Sequence, residues 1–347
     1  MNSRNVISTG MIPAEPGHVV LFVGAGFSHV AGSPLAKDLF HRTPPGGSVW
    51  ARELVRNVEH AFAAWSKSHP GMGAEEFMSD VYARAWPPLE NPLWRQIVKY
   101  IGLRLAADFA TWSWNRGRLR PSGHSVASAR VGAVHSEFWD AFFGALSAGT
   151  TLTVMGTNYD IWCERGIRPK PTPRRHRPGF HYFNAGEALE GGPGYPVSKW
   201  LHPVVLTGSV PLLKLHGSLS WSTIGDRIEM FSDCRPAFRG DAAIVPPLAG
   251  SDRPTWLKPI WDRARQALRE AAVLIVVGYS FPAYDEGIRE LLRSSLYGKG
   301  TEMFVASPSS DRHCARLAME LPGVNLHPLP ALPEASRLIA NELGRIP

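Results

Sequence analysis

The fold of this 347-residue chain is decided by one stretch, Val19-Val20-Leu21-Phe22-Val23-Gly24-Ala25-Gly26-Phe27-Ser28. Its apolar, valine-rich first half predicts a buried strand of a parallel sheet. The strand runs without a linker into two glycines that flank one alanine, and glycine lets a backbone approach a ligand closely. If a helix begins directly afterwards, its free N–H groups and its dipole suit a phosphate. The stretch is a candidate site for a dinucleotide diphosphate; the alternative is a tight strand–helix turn that binds nothing.

Composition allows a large core and leaves several partner classes open. Hydrophobic residues make up 44% of the chain, and the formal charge is +7 with a pI near 9.5. Such a charge permits nucleic-acid contact without requiring it. Much of the basic excess lies between residues 165 and 177. That run is either a solvated loop or a contact surface for an acidic partner or for nucleic acid.

Cysteine usage and hydropathy predict the compartment. The three cysteines, Cys163, Cys234 and Cys314, form no C-x-x-C pair. This spacing excludes a disulfide scaffold and a zinc ribbon of four thiolates. Apolar runs stay shorter than the roughly 18 residues of a membrane span, and the first residues lack the charged-then-apolar pattern of a signal peptide. We expect a cytoplasmic protein without membrane contact.

The pattern along the chain divides it into an arm, a sheet domain and two interruptions. Residues 1–17 are expected to form an N-terminal arm, and 18–347 the α/β domain. Three- and four-residue apolar spacing predicts helices throughout 49–148, a large helical insertion. Its tryptophans indicate either core packing or a partner surface. Residues 165–205 lack periodicity and are expected to form a long irregular basic loop, a lid or a binding segment.

Strands and helices alternate in the rest of the chain. Strands are predicted at 150–155, 211–215, 272–277, 302–306 and 324–327, with an edge strand at 242–247. Helices are predicted at 36–40, 256–270, 284–296, 311–320 and 333–343. Strands separated by helices of this length are typical of a Rossmann-like, doubly wound parallel sheet.

Polar or glycine-containing turns follow four of the predicted strands. They are Gly24–Ser28, Thr157-Asn158-Tyr159-Asp160, His216-Gly217-Ser218 and Gly278-Tyr279-Ser280. Each alone is an ordinary turn. Because the carboxyl ends of parallel strands meet at one edge of the sheet, where ligands bind, the four together predict one site.

This set of motifs resembles the sirtuin superfamily, and more closely its NAD-consuming members in bacterial antiphage defence. The resemblance spans residues 19–310, excludes both interruptions, and rests on four motifs in the family's order. These are Gly24-Ala25-Gly26-Phe27-Ser28 with Gly32-Ser33-Pro34, Thr157-Asn158-Tyr159-Asp160, Lys214-Leu215-His216-Gly217-Ser218, and Gly278-Tyr279-Ser280-Phe281-Pro282 with Asp285.

Three departures from the family pattern narrow the expected chemistry. The zinc ribbon of the deacylases cannot be built here, and their Asp-Phe-Arg is replaced by Leu35-Ala36-Lys37-Asp38. Both differences argue against peptide deacylation and towards cleavage of NAD itself. Ala306-Ser307-Pro308 replaces the family's Asn-Pro, which leaves the adenosine contacts less defined.

The resemblance implies an NAD⁺ glycohydrolase that takes NAD as its substrate, uses no metal, and depletes cellular NAD in abortive infection. Asn158 and His216 are the implied catalytic residues: Asn158 holds the ribose hydroxyls or the attacking water, and His216 acts as general base. Asp160 is expected to hold the carboxamide of nicotinamide. The full set of implied NAD contacts is Gly24, Ala25, Gly26, Phe27, Ser28, Pro34, Thr157, Asp160, Gly217, Ser218, Gly278, Ser280 and Ser307.

Other functions remain open on the sequence. The dinucleotide-binding motif of a hydride-transferring dehydrogenase, Gly-x-Gly-x-x-Gly/Ala, requires glycine or alanine at the position of His29. A zinc-independent deacylase or ADP-ribosyltransferase, and an NAD- or nucleotide-binding sensor or scaffold without turnover, are further alternatives. The resemblance also implies activation by homo-oligomerisation or by a separate defence protein, such as an ATPase, a nucleotide hydrolase or an Argonaute-type protein. The tryptophan-rich helices and the basic segment are candidate contact surfaces.

Overall fold

A computed structural model describes most of the chain outside its long basic segment. The described residues are 17–30, 33–35, 38–40, 49–84, 90–106, 111–115, 118–123, 126–147, 149–166, 180–182, 210–224, 227–231, 234–247 and 253–344. Residues 1–16 of the predicted arm and nearly all of the predicted 165–205 loop lie outside these residues, as does the basic run from residue 167 to 177.

Twelve strands and eleven α-helices occur in the described residues. The strands are β1 His18–Val23, β2 Thr111–Asn115, β3 Arg118–Gly123, β4 Thr151–Gly156, β5 Phe180–Tyr182, β6 Val210–Lys214, β7 Gly217–Ile224, β8 Arg227–Met230, β9 Ala242–Ile244, β10 Ala271–Val277, β11 Glu302–Ala306 and β12 Asn325–Leu329. The helices are α1 Ala25–His29, α2 Val49–Ser68, α3 Ala74–Arg84, α4 Pro92–Ala106, α5 Val126–Ala145, α6 Trp162–Gly166, α7 Arg235–Arg239, α8 Lys258–Glu270, α9 Glu286–Leu296, α10 Ser310–Glu320 and α11 Glu334–Leu343.

Seven strands form one parallel sheet in the order β12-β11-β10-β1-β4-β6-β5. Because β1 lies between β4 and β10, the chain builds the sheet outward in both directions from it. This arrangement confirms the predicted α/β, doubly wound parallel sheet. The topological switch point lies between β1 and β10, where open sheets of this kind bind ligands.

The strand ends are aligned in register at this switch point. Val23 at the end of β1 stands opposite Gly156 of β4 and Val277 of β10, and Val277 stands opposite Ala306 of β11. Strand β1 is buried along almost its whole length, as its continuous apolar run predicts. The turns that follow these strands therefore start at one level of the sheet.

The segment between α1 and β4 is not helical throughout, which corrects the expectation for 49–148. It holds four helices, α2 to α5, and the antiparallel hairpin β2–β3. Strand β2 holds two tryptophans, and aromatic residues are enriched in strands. Trp94 and Trp139 are fully buried, so these two tryptophans belong to the core and not to a contact surface.

Two further differences concern segments near the sheet edge. Residues 180–182, inside the expected irregular loop, form the edge strand β5. The predicted edge strand at 242–247 is β9, which pairs with β7 in a separate three-stranded sheet, β8-β7-β9. Of the expected helix at 36–40, residues 36 and 37 lie outside the described residues, and a turn occupies 38–40.

Candidate active site at the carboxyl edge of the sheet

The glycines of the first turn pack directly against the turn that follows β10. The amide of Gly26 donates a hydrogen bond to the carbonyl of Gly278 over 2.7 Å. A Cβ on Gly24 would lie 2.7 Å from that same carbonyl oxygen. Gly278 has a φ of +68°, and a Cβ there would lie 2.2 Å from the amide nitrogen of Phe27. The contact between the two turns therefore requires these glycines, with or without a ligand.

Helix α1 begins immediately after Gly24 and turns two side chains inward. Phe27 and Ser28 are buried, and Phe27 packs edge-on against Phe138 of α5. His135, also on α5, donates a hydrogen bond from Nε2 to the Phe27 carbonyl over 2.7 Å. Ala25 and Gly26 are partly exposed. The backbone at 24–26 thus faces the edge, while the side chains at 27 and 28 anchor it.

Asn158, just beyond β4, ties the second predicted turn to the first. Its Nδ2 donates to the carbonyl of Gly24 and to Oγ of Ser28, each over 2.8 Å. The amide of Thr157 donates to the carbonyl of Val23 over 3.2 Å. Because a carbonyl oxygen can only accept, the contact with Gly24 fixes which side-chain atom of Asn158 is the nitrogen. Oδ1 is the atom of this amide left to act on a ligand.

Asp160 is buried at the start of α6, and its surroundings hold it in place. Its Oδ1 accepts a hydrogen bond from the amide of Trp162 over 3.0 Å. Its backbone carbonyl accepts one from the buried ammonium of Lys214. Lys214 also pairs with Glu164 over 3.1 Å, and Tyr182 donates to the same carboxylate over 2.7 Å. This buried network connects β6 to the loop that carries Asn158 and Asp160.

His216 lies in the turn between β6 and β7, and its neighbours hold the turn on both sides. The amide of Val245 donates to the carbonyl of His216 over 2.9 Å. Gly217 follows with a φ of +76°, and a Cβ there would lie 2.0 Å from the carbonyl oxygen of Ala243. Ser218 is buried, with its hydroxyl 3.4 Å from the carbonyl of Tyr159. Gly217 and Ser218 therefore fix the position of the imidazole.

The imidazole of His216 is buried beside a carboxylate that the sequence analysis quoted but gave no role. Its Nε2 lies 3.7 Å from Oδ2 of Asp285, and the Tyr279 hydroxyl donates to that Oδ2 over 2.6 Å. Asp285 also caps α9 by accepting from the amide of Ile288. Burial lowers the pKa of His216 below its ordinary value, the Asp285 charge opposes this, and Arg253 adds to it. His216 is therefore neutral near pH 7 and able to accept a proton.

Helix α3 brings a further acidic side chain to this edge, which the sequence analysis missed because α3 lies in the insertion. Ser79 donates a hydrogen bond to the carbonyl of Pro247, in the segment that follows β9, over 2.7 Å. Burial, followed by the charges of Asp285 and Glu76, raises the pKa of Glu75 to about 8. Burial raises the pKa of Tyr159 and of Tyr279, and the charge of Glu75 adds to both shifts. No sequence motif marks Glu75 as a residue of this edge. It is identified by the contact of α3 with the segment after β9 and by its electrostatic interaction with Asp285.

The remaining predicted contacts lie around the same edge with different exposure. Ser280 is exposed, whereas Ser307 at the end of β11 is buried with its hydroxyl 3.1 Å from Nδ1 of His313. Pro34 is partly buried after Ser33, whose amide donates to the Ser28 carbonyl. Phe281 has a φ of +51°, and its carbonyl accepts a hydrogen bond from Arg316 over 2.7 Å. The turn after Gly278 is thus held by α10.

In the part of the chain that the structure describes, no group of three or more His, Cys, Asp or Glu side chains is placed to hold a metal ion. Cys163, Cys234 and Cys314 are each buried and form no disulfide. Among the described helices, none has the length and apolar character needed to cross a bilayer.

The chain has distant structural similarity to solved sirtuin structures. No family profile and no curated protein sequence matches it. A Sir2 homologue solved as a mutant complex with ADP-ribose is 15% identical with a TM-score of 0.40, over 96% of this chain and 93% of the other. A Sir2 complex with an inhibitor, 2'-O-acetyl-ADP-ribose and a deacetylated peptide is 14% identical with a TM-score of 0.34, over 95% and 94%. These values indicate a distant likeness and no more.

Proposed function

We propose that this protein is a sirtuin-like NAD⁺ glycohydrolase that cleaves the nicotinamide–ribose bond and releases nicotinamide and ADP-ribose. One observation carries the proposal. At the switch point of a doubly wound sheet, the glycine turn after β1, Asn158 after β4 and the turn after β10 are joined by direct hydrogen bonds, and the buried His216 follows β6. Dinucleotides bind at such switch points, with their diphosphate at the glycine turn.

The proposed binding mode uses backbone at one end of the dinucleotide and side chains at the other. Gly24, Ala25, Gly26 and Ser28 receive the diphosphate, with Gly278 and Ser280 on the far side. Asp160 holds the carboxamide of nicotinamide through the carboxylate oxygen that does not cap α6. Ser307 and Pro34 lie further out, towards the adenosine and the ribose. NAD is the substrate in this proposal, and the reaction needs no metal.

The proposed chemistry follows from the charge that develops when the glycosidic bond breaks. Nicotinamide leaves with the bonding electron pair, and positive charge builds on the ribose. Oδ1 of Asn158 presents the negative end of a fixed dipole to that charge, because both Nδ2 hydrogens are held by Gly24 and Ser28. Neutral His216 accepts the proton of the attacking water. Such positioning and electrostatics are sufficient for a dissociative reaction of this kind.

The biological part of the proposal is NAD depletion in the cytoplasm during antiphage defence, by abortive infection. It rests on the motif resemblance. Activation by self-association or by a separate defence protein belongs to it, with the basic 165–177 segment as the candidate contact. The division into an arm, a sheet domain and an inserted 49–148 segment is part of the same proposal.

Binding without turnover is the second candidate function, and a specific contact favours it. Both donor hydrogens of Asn158 are used inside the protein, as in a purely structural asparagine. Calorimetric titration with NAD⁺, together with chromatography of the products, separates the two functions. We expect the wild type to form nicotinamide and ADP-ribose, and the His216→Ala variant to bind NAD⁺ without forming either. Binding by the wild type with no product, at both low and high protein concentration, would instead establish the binding function.

A further inference from the structure

A small cavity adjoins His216. Its volume is about 10 Å³, room for the centre of one water molecule. Three polar groups line it, from His216, Asp285 and Arg253. Val245, Leu257 and Trp261 supply most of the apolar wall. The cavity therefore combines a size that admits one small molecule with groups able to hydrogen-bond it.

Two of the polar side chains that line the cavity, His216 and Asp285, face each other without a direct hydrogen bond. Nε2 of His216 and Oδ2 of Asp285 are 3.7 Å apart, too far for a direct hydrogen bond, and both can contact one water placed to the side of the pair. Within the described residues, neither ring nitrogen of His216 makes a hydrogen bond to the protein, although only 5% of the residue is exposed. A buried imidazole in this state needs a partner from outside the chain.

The third polar group is a guanidinium held over an aromatic ring. The Arg253 guanidinium carbon lies 3.6 Å from the centroid of Trp261, within the range of a cation–π contact. Trp261 is itself fixed, because its Nε1 donates to the carbonyl of Leu215 over 2.8 Å. The centroid of the His216 ring lies 6.4 Å from the centroid of the Trp261 ring, and the two ring planes differ by 23°. Arg253 therefore supplies N–H donors at a defined place beside the imidazole.

We propose that this cavity is the nucleophile site of the glycohydrolase, where one water is bound by Arg253, Asp285 and His216 before it attacks the ribose. This inference rests on the proposed function. The bond to nicotinamide breaks first with its electron pair, and the water oxygen then forms a bond to the anomeric carbon of the ribosyl cation. The water proton passes to Nε2 of His216 and from there to solvent. NAD⁺ and water thus give nicotinamide, ADP-ribose and one proton.

The inference separates water capture from bond cleavage, which can be measured independently. When water fails to capture the ribosyl cation, nicotinamide can add back, so labelled nicotinamide exchanges into NAD⁺. The Val245→Ile substitution adds one methylene to the cavity wall and keeps the β-branched shape. We expect the ratio of hydrolysis to exchange to fall at least tenfold in this variant. The matched control Val305→Leu, in the buried β11 away from the cavity, should leave the ratio unchanged.

The opposite substitution tests the same site if the larger side chain impairs folding. Val245→Ala enlarges the cavity, so that methanol can take the place of the water. In water–methanol mixtures we expect the ratio of methyl ADP-riboside to ADP-ribose to be several-fold higher for this variant than for the wild type. Ratios within twofold of wild type in both Val245 variants would overturn the inference while leaving the glycohydrolase in place. A wild type that neither hydrolyses NAD⁺ nor exchanges nicotinamide would instead overturn the proposed function, and this inference with it.

Discussion

Asn158 donates its side-chain amide to Oγ of Ser28 over 2.8 Å, and this bond spans 130 residues of sequence to join the turns after β4 and β1. The same Nδ2 also donates to the Gly24 carbonyl. The amide is therefore held in one orientation before any ligand arrives. Preorganised dipoles of this kind need no reorganisation when charge develops on a substrate.

Replacing Asn158 by alanine should lower kcat for NAD⁺ cleavage by about 10²–10³, the effect of removing one electrostatic donor or acceptor from a preorganised site. Ser28→Ala is the comparison, because it removes the hydroxyl that orients Asn158, together with one proposed diphosphate contact, and leaves Oδ1 of Asn158 in place. We expect a loss of about tenfold for Ser28→Ala, since the Gly24 carbonyl still holds the amide. Steady-state assays of nicotinamide release measure both effects. Equal losses in the two variants would mean that Oδ1 of Asn158 has no role of its own.

The two charges beside His216 should move the pH profile in opposite directions. Asp285 raises and Arg253 lowers the pKa of His216, whose overall value lies below the ordinary 6.5 because of burial. In Asp285→Asn the pKa falls further, so the acid limb of kcat/KM should move to lower pH. In Arg253→Gln the pKa rises, so the limb should move to higher pH. Shifts of the same sign, or an unmoved limb in both variants, would exclude His216 as the base that the profile reports.

The contact between the turn after β1 and the turn after β10 should contribute strongly to the free energy of unfolding. Gly278→Ala places a Cβ 2.2 Å from the amide nitrogen of Phe27, whereas Gly298→Ala has nothing within 4 Å, at a similar φ of +72°. The shared left-handed conformation costs about 1–2 kcal/mol in each variant. Only Gly278→Ala adds a backbone clash, so its urea midpoint should be much lower than that of Gly298→Ala. Matching midpoints would show that the two turns are not in close contact.

Glu75 should make the free energy of unfolding depend on pH. Its pKa is raised from 4.5 to about 8 in the folded protein, so the folded state binds more protons than the unfolded state between these values. Stability therefore decreases as pH rises from about 5 to about 8. Glu75→Gln removes this penalty, and its gain over wild type should grow across that interval to the order of 1–2 kcal/mol. Urea titrations at pH 5 and pH 8 measure it; a gain independent of pH would contradict the shifted pKa.

The sequence predicted the sheet because the β1 and β10 runs are continuously apolar and their flanking turns are explicit. It also predicted that Gly24, Asn158, His216 and Gly278 would meet, since residues after parallel strands share one edge. Whether they bind NAD is a separate question, and the packing of Gly24 on Gly278 shows that a glycine motif can serve the fold alone.

Other features depend on contacts that local patterns do not encode. The hairpin β2–β3 lies between strongly periodic helices, and its two short strands have no alternation long enough to outweigh that context. Glu75 reaches the edge only through the packing of α3 on the segment after β9. Arg253 is positioned by Trp261, whose Nε1 donates to the carbonyl of Leu215, the residue that follows β6. Such relationships join distant parts of the chain and require the coordinates.

The most direct test of the account is the product balance of the purified protein with NAD⁺, followed over time by chromatography. The account predicts that nicotinamide and ADP-ribose accumulate in equal amounts as NAD⁺ disappears, and that His216→Ala forms neither. NAD⁺ that stays intact, or nicotinamide released without a matching amount of ADP-ribose, would contradict it.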